Sequence, residues 1–141
     1  MHPKKICSDV ESLGAKLTID GDELYIENHM NINSELEQFV KSYKSRIIKY
    51  LKGEYADGEH AIKQTIDKII IFYEEGCRVD STINKWLQND EKSLSLVMKL
   101  VVEFSYNGWS LWDPVCNYES EKTDKISKDI FDRAMSYFKG V

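Results

Sequence analysis

Few side chains in this 141-residue chain could act as nucleophiles, general bases or metal ligands, and they are scattered along it. The cysteines and histidines are Cys7, Cys77, Cys116, His2, His29 and His60. No C-x-x-C pair or other ligand spacing connects them, so the sequence indicates neither a zinc site nor a disulfide framework. A Cys–His pair brought together by folding could still form a nucleophile. The spacing itself predicts no catalytic residue, no metal and no cofactor, and we interpret the protein as non-enzymatic.

A run of basic residues between positions 41 and 52 has the composition of a binding surface. On one continuous helix, Lys41, Lys44 and Lys52 would fall within about one quadrant. Such a patch could bind acidic protein or nucleic acid. The alternative is a solvated helix face on which the lysine stems cover apolar surface.

An aromatic segment at 109–114, which reads Trp-Ser-Leu-Trp-Asp-Pro, is the second candidate surface. Two tryptophans in a loop are costly to leave in water. Either Trp109 and Trp112 fold into a helical core, or they anchor a partner, because tryptophan is enriched at the centres of protein interfaces. We take both as candidate partner-binding residues.

Composition and charge restrict the class of protein. The chain is 42% hydrophobic with a formal net charge of −5, which is typical of an ordinary globular protein. A binder of duplex nucleic acid usually carries a basic excess, so nucleic acid is not the expected partner. The longest apolar run is shorter than a membrane span, and the N-terminus lacks the apolar stretch of a signal peptide. We therefore predict a cytoplasmic protein without membrane contact.

The first quarter of the chain predicts a short helix followed by a hairpin. Apolar spacing predicts a helix over 5–13, which Gly14 ends. Residues 16–27 alternate apolar and polar side chains on both sides of an Asp20-Gly21 turn, which is a strong hairpin signal. The aliphatic side chains expected on one face of that hairpin are Leu17, Ile19, Leu24 and Ile26.

A pair of helices is predicted to follow the hairpin. Ser34 and Glu37 have the spacing of a capping box, which opens a helix, and a break is expected near Lys44. Residues 53–58 have the composition of a linker. The helices predicted after it are 59–75, a short helix from Asp80 or Ser81, 93–106, and a last helix containing Ile126 to Phe138. The 93–106 segment is apolar nearly all round, so we expect it to be the central buried element of the second half.

Five short motifs follow one another in the first half of the chain. They are Leu13-Gly14-Ala15-Lys16-Leu17, Asp20-Gly21-Asp22-Glu23-Leu24, Ser34-Glu35-Leu36, Lys41 to Lys44, and Ile47-Ile48-x-x-Leu51. In this order they resemble the TubC-type N-terminal docking domain of non-ribosomal peptide and polyketide assembly lines, over about residues 5–52. The resemblance implies an αββαα fold that often dimerises, in which an exposed hairpin edge and nearby basic residues capture a short acidic tail.

The resemblance also implies which residues bind. The second strand, Glu23 to Glu27, would accept the partner, because strand addition takes affinity from backbone hydrogen bonds and specificity from side chains. The binding residues implied in this way are Leu24, Tyr25, Ile26 and Glu27, with Lys16, Lys41 and Lys44 as charge partners.

These inferences predict an α+β, mostly α protein with a docking module at 1–53 and a helical module at 59–141. The leading functional hypothesis is an adaptor or inhibitor that binds a protein partner through the hairpin edge and the aromatic loop. It would form a homodimer through the N-terminal module.

Two alternative functions stay open. One is a phage- or mobile-element-encoded inhibitor of a host nucleic-acid machine, of the anti-CRISPR or anti-restriction type. No synthase motif follows the docking-like segment within these 141 residues, and an acidic second half could imitate phosphate charge. The other is an accessory protein that stacks single-stranded nucleic acid on Trp109, Trp112 and Tyr106.

Overall fold

The computed structural model describes residues 1–76 and 81–139 and divides the chain into two compact units, 1–60 and 61–141. The α+β, mostly α class predicted from the sequence is confirmed: the described residues form seven α-helices and one antiparallel hairpin. In chain order the elements are α1 (Pro3–Ser12), β1 (Lys16–Asp20), β2 (Glu23–Glu27), α2 (Ser34–Ser42), α3 (Lys44–Leu51), α4 (Asp57–Glu74), α5 (Ser81–Asn89), α6 (Glu91–Tyr106) and α7 (Glu121–Phe138).

The first unit has the predicted αββαα order, and its core lies between the hairpin and the helices. Strand register pairs Leu17 with Ile26 and Ile19 with Leu24, so these aliphatic side chains share one face, as alternation predicts. That face joins a cluster whose buried members include Ile6, Val10, Leu17, Val40 and Ile47.

The turn of the hairpin lies one residue later than the Asp20-Gly21 dipeptide suggested. Asp20 pairs with Glu23, so the two loop residues are Gly21 and Asp22. Gly21 has a φ of 62°, whereas Asp22 is not among the described residues with positive φ. A positive φ at the first loop residue alone is the requirement of a type II′ turn, which glycine meets without strain.

The cap of α2 also differs from the prediction. Asn33, not Ser34, precedes the first helical turn, and its Oδ1 accepts a hydrogen bond from the Leu36 backbone N–H at 2.8 Å. Asparagine is as good an N-cap as serine, so the helix begins one residue earlier than a Ser34 cap would allow. The predicted break is confirmed, because α2 ends at Ser42 and α3 begins at Lys44.

In the second unit, α5 and α7 pack against α6. The buried residues at the centre of this core include Ile66, Ile70, Trp86, Leu100, Phe104 and Ile130. The short helix predicted from Asp80 or Ser81 is α5; Asp80 itself lies outside the described residues. No helix in the described ranges is long and apolar enough to cross a membrane.

Helix α6 is the element against which α5 and α7 pack, as expected of a central helix, but it is not buried all round. Val97, Leu100 and Phe104 face the core, but Leu94, Met98, Val102 and Tyr106 are exposed. A one-dimensional pattern counts apolar residues but does not say how many neighbouring elements pack around a helix. Within the described part of this unit, the packing leaves one apolar side of α6 uncovered.

Candidate functional site

A groove of about 540 Å³ lies beside β2 in the first unit. Its lining residues are Leu24, Tyr25, Ile26, His29, Glu37, Val40, Lys41 and Lys44. The structure therefore brings together five of the nine residues predicted to bind a partner: three from the strand and two lysines from the helix pair. Strand and lysines are 15 or more residues apart in sequence, so only the fold places them in one groove.

The backbone of β2 offers hydrogen-bonding groups along the edge that faces away from β1. In a hairpin closed by a two-residue turn, the pair next to the turn is hydrogen-bonded and the pairs then alternate. Glu23, Tyr25 and Glu27 therefore direct their N–H and C=O groups towards β1. Leu24 and Ile26 direct theirs outward, and no third strand pairs with this edge in the part of the chain that the structure describes.

The groove has an apolar floor and a mainly basic rim. Val40 is fully buried, and Leu24 and Ile26 are partly buried against the same core. Lys41 and Lys44 are exposed, and the Lys41 Nζ lies 3.6 Å from the Glu37 carboxylate one turn earlier. Such an arrangement suits an extended segment with apolar side chains and at least one carboxylate.

Three residues of the groove were missed by the sequence analysis: His29, Glu37 and Val40. The sequence does contain a signal for Glu37 and Val40, because positions 37, 40, 41 and 44 follow the i, i+3, i+4, i+7 spacing of one helix face. His29 follows β2 in a short 3₁₀ turn (His29–Asn31) and has no such signal.

Lys16 and Glu27, which the resemblance also implied, do not line the groove. They are paired with each other in the register at the open end of the hairpin. The rest of the basic run is also dispersed. Arg46 is buried, and Lys52 donates a 2.7 Å hydrogen bond to Asp22. The break at Tyr43 ends the single helix face on which Lys41, Lys44 and Lys52 were grouped.

Trp109 and Trp112, which the sequence analysis treated together, lie in different environments. Trp109 is only 5% exposed; its ring centroid lies 6.2 Å from that of Phe104, and its Nε1 donates to the Asp113 carbonyl at 2.8 Å. Of the two alternatives predicted for this residue, Trp109 therefore follows the first: it packs into the helical core. It has almost no exposed surface that could contact a partner or a nucleic-acid base. Trp112 is 66% exposed.

The backbone holds Trp112 in an unusual conformation. The Asp113 N–H donates to the Ser110 carbonyl at 3.1 Å, which closes a turn with Trp112 at its third position. Trp112 has a φ of 75°, while Leu111 is not among the described residues with positive φ, as in a type II turn. That position normally requires glycine, so a bulky residue there is strained.

Two side-chain contacts support this turn. The Ser110 hydroxyl donates to Asp113 Oδ2 at 2.9 Å, and the Glu74 carboxylate accepts a short hydrogen bond from the Trp112 backbone N–H. Backbone strain of this kind clusters at functional sites, where the surroundings hold the conformation in place. The exposed indole is thus presented at a fixed position on the second unit.

Two of the three histidines are not scattered in space. The ring centroids of His2 and His60 lie 4.5 Å apart, and the Tyr55 hydroxyl lies 2.9 Å from His60 Nδ1. His2 also caps α1, since its Nδ1 accepts a hydrogen bond from the Lys4 N–H. These contacts connect the start of α1 to the first turn of α4, which holds His60, and to Tyr55 just before it. Among the described residues, no group of three or more His, Cys, Asp or Glu is arranged to hold a metal ion.

A buried charge cluster lies in the second unit. Lys63 Nζ donates to Glu119 Oε2 and to Asp124 Oδ1, each at 2.6 Å, and the Lys63 side chain is almost completely buried. Two carboxylates close to one buried ammonium satisfy its charge and hydrogen-bonding capacity. We interpret this cluster as structural, because it connects α4 to the start of α7.

Comparison of the chain with protein-family models, with curated proteins and with solved structures finds no match. The features of the molecule that bear on its function are the groove beside β2, the turn at Trp112 and the exposed side of α6.

Proposed function

We propose that this protein binds an extended segment of a partner protein by strand addition to β2 and has no enzymatic activity of its own. The observation that carries the proposal is the groove itself, in which an unpaired strand edge, an apolar floor and two exposed lysines meet. Strand addition is a common mode of peptide recognition, in which the edge supplies backbone hydrogen bonds and pockets for alternate side chains supply specificity. The motif order that resembles a docking domain supports the same proposal.

The length of the strand sets the size of the ligand. Leu24 and Ile26 offer two N–H and two C=O groups, so an added strand would form up to four backbone hydrogen bonds. Each contributes on the order of 1 kcal/mol net. Because β2 has five residues, it spans roughly 17 Å and matches a ligand of about five residues.

Alternation of side chains sets the ligand sequence. Side chains of an added strand on the inner face would lie over the apolar floor and next to Lys41 and Lys44. Side chains on the outer face would lie next to Glu23, Tyr25 and Glu27. We therefore expect apolar and acidic residues at alternate ligand positions, with basic or polar residues between them.

The turn at Trp112 is proposed as a second contact with protein. An exposed tryptophan held by a closed turn loses little conformational entropy on binding, and tryptophan is the residue most enriched among interface hot spots. Binding through two such surfaces is the property of an adaptor or of an inhibitor.

The experiment is selection of binders from a displayed library of random peptides on the immobilised full-length protein. Selected peptides are synthesised, and their binding is measured by calorimetry and by amide exchange. We expect the alternating acidic pattern in the selected peptides, with slowed exchange of the Leu24 and Ile26 amides on binding. Lys44→Glu should weaken binding about tenfold or more. Lys4→Glu is the control, because it makes the same charge change on α1, outside the groove.

The proposal fails if the selected peptides leave the Leu24 and Ile26 amides unprotected, or if Lys44→Glu and Lys4→Glu weaken binding equally. Recovery of no sequence pattern at all would also reject strand addition as the mode of binding.

A further inference from the structure

The exposed side of α6 forms a continuous apolar stripe. Leu94, Met98, Val102 and Tyr106 are 41%, 51%, 62% and 87% exposed. They follow at intervals of four residues, so they form one ridge of the kind that packs between helices. The ridge covers more than three turns of a helix that is otherwise packed into the core by Val97, Leu100, Val101 and Phe104.

The stripe is as large as the largest apolar patch expected on a protein of this kind. Its four side chains expose on the order of 500 Å², within the range of about 300–600 Å² for the largest apolar patch on a typical monomer, and such patches are often functional. Two copies of the ridge packed against each other would bury on the order of 1,000 Å² in total, about the smallest area expected of a biological interface.

The side chains of this face indicate which kind of partner would cover it. On a helical wheel, the sector of about 120° that holds the stripe contains one charged residue, Glu91, in the first turn. A strongly charged partner would find almost nothing to pair with there and would lose hydration. A second copy of the same ridge brings no uncompensated charge into the centre of the contact. Two i±4 ridges also interdigitate, at a crossing angle of about −50°.

We propose that this face is a homodimer interface, in which α6 of one copy packs against α6 of another around Met98 and Val102. The stripe lies in the second unit, whereas the strand-addition groove lies in the first. The inference is therefore independent of the proposed function. It also differs from the dimer through the N-terminal module that the docking-domain resemblance implied.

The test is the mass of the full-length protein, measured by sedimentation velocity from about 5 to 300 µM. We expect the mass to rise from the 16.4 kDa of one chain to about 33 kDa, twice that value. Met98→Glu and Val102→Glu should each weaken dimerisation more than about tenfold, because each would place a charge in the apolar centre. Glutamate is a good helix former at an exposed position, so circular dichroism should show both variants folded.

Met30→Glu is the matched control. It makes the same substitution at a methionine that is 88% exposed in the first unit, and it should leave the dimer intact. A wild-type protein that stays at the monomer mass over the whole range would overturn the proposal. A dimer that survives Met98→Glu would do the same, as would a dimer lost instead on Lys44→Glu, which would place the interface at the hairpin.

Discussion

Replacing Trp112 separates the strain of its turn from the loss of its side chain. Both Trp112→Gly and Trp112→Ala remove the indole, so their difference reports the backbone alone. At a φ of 75°, a residue with a Cβ costs about 1–2 kcal/mol. Against this, glycine destabilises the fold by about 0.4–1 kcal/mol, because its unfolded chain has more conformational entropy to lose. The glycine variant should therefore be more stable than the alanine variant by roughly 0.8 kcal/mol, about a fourfold change in the unfolding equilibrium.

Leu111 provides the internal control, because it lies in the same turn and is exposed, but is not among the described residues with positive φ. There the order should reverse, with Leu111→Ala more stable than Leu111→Gly by about 0.5 kcal/mol. Urea denaturation followed by tryptophan fluorescence suits all four variants, since Trp86 and Trp109 remain in the second unit as reporters. If alanine is the more stable substitution at both positions, then Trp112 is not strained and the argument for a held binding residue fails.

Two further predictions concern charges in the second unit. Lys63→Met should cost about 3 kcal/mol, because it leaves Glu119 and Asp124 close together without their shared cation. Lys128→Met is the control: it breaks an exposed pair with Asp132 and should cost less than about 1 kcal/mol. Equal losses in urea denaturation would show that the buried cluster is not important for stability. The hydrogen bond from Arg133 lowers the pKa of Asp90 from 3.8 to about 2. The ionised Asp90 therefore stabilises the fold fully above about pH 4, and this contribution is lost as the pH falls towards 2. Because the Arg133 side chain is 35% exposed, solvent reduces the effect to about 1 kcal/mol. Asp90→Asn keeps an N-cap at α6, so its stability deficit at pH 5 should shrink at pH 2.5; a constant deficit would contradict the assigned pKa.

The elements of this fold were predictable where one local signal decides them. Alternation on both sides of a glycine turn specified the hairpin, and its aliphatic face, with no tertiary information. The turn was placed one residue early because Asp-Gly is a strong turn dipeptide, whereas the observed pairing of Asp20 with Glu23 makes Gly21 the first loop residue. Asn33 and Ser34 are both good caps, so their order in the sequence does not decide between them.

The candidate site was predictable only in part. Alternation predicted the residues of β2, and the resemblance implied Lys41 and Lys44. Packing decided the rest: it buries Arg46 and Trp109 and leaves Lys16 at the far end of the hairpin. The exposed stripe of α6 was missed for the same reason, since burial depends on the number of elements that surround a helix.

The unpaired edge of β2 needs protection against indiscriminate strand addition, which leads to aggregation. Charge provides it on the solvent face, where Glu23 and Glu27 flank Tyr25. A strand with carboxylates on that face would be repelled, while the same carboxylates on the inner face would meet Lys41 and Lys44. In the proposed strand addition, the two faces of the edge would therefore select opposite charges, and a strand shifted by one residue would present its side chains to the wrong face. Such an edge would discriminate by both sequence and register, so we expect the protein to bind one partner rather than many.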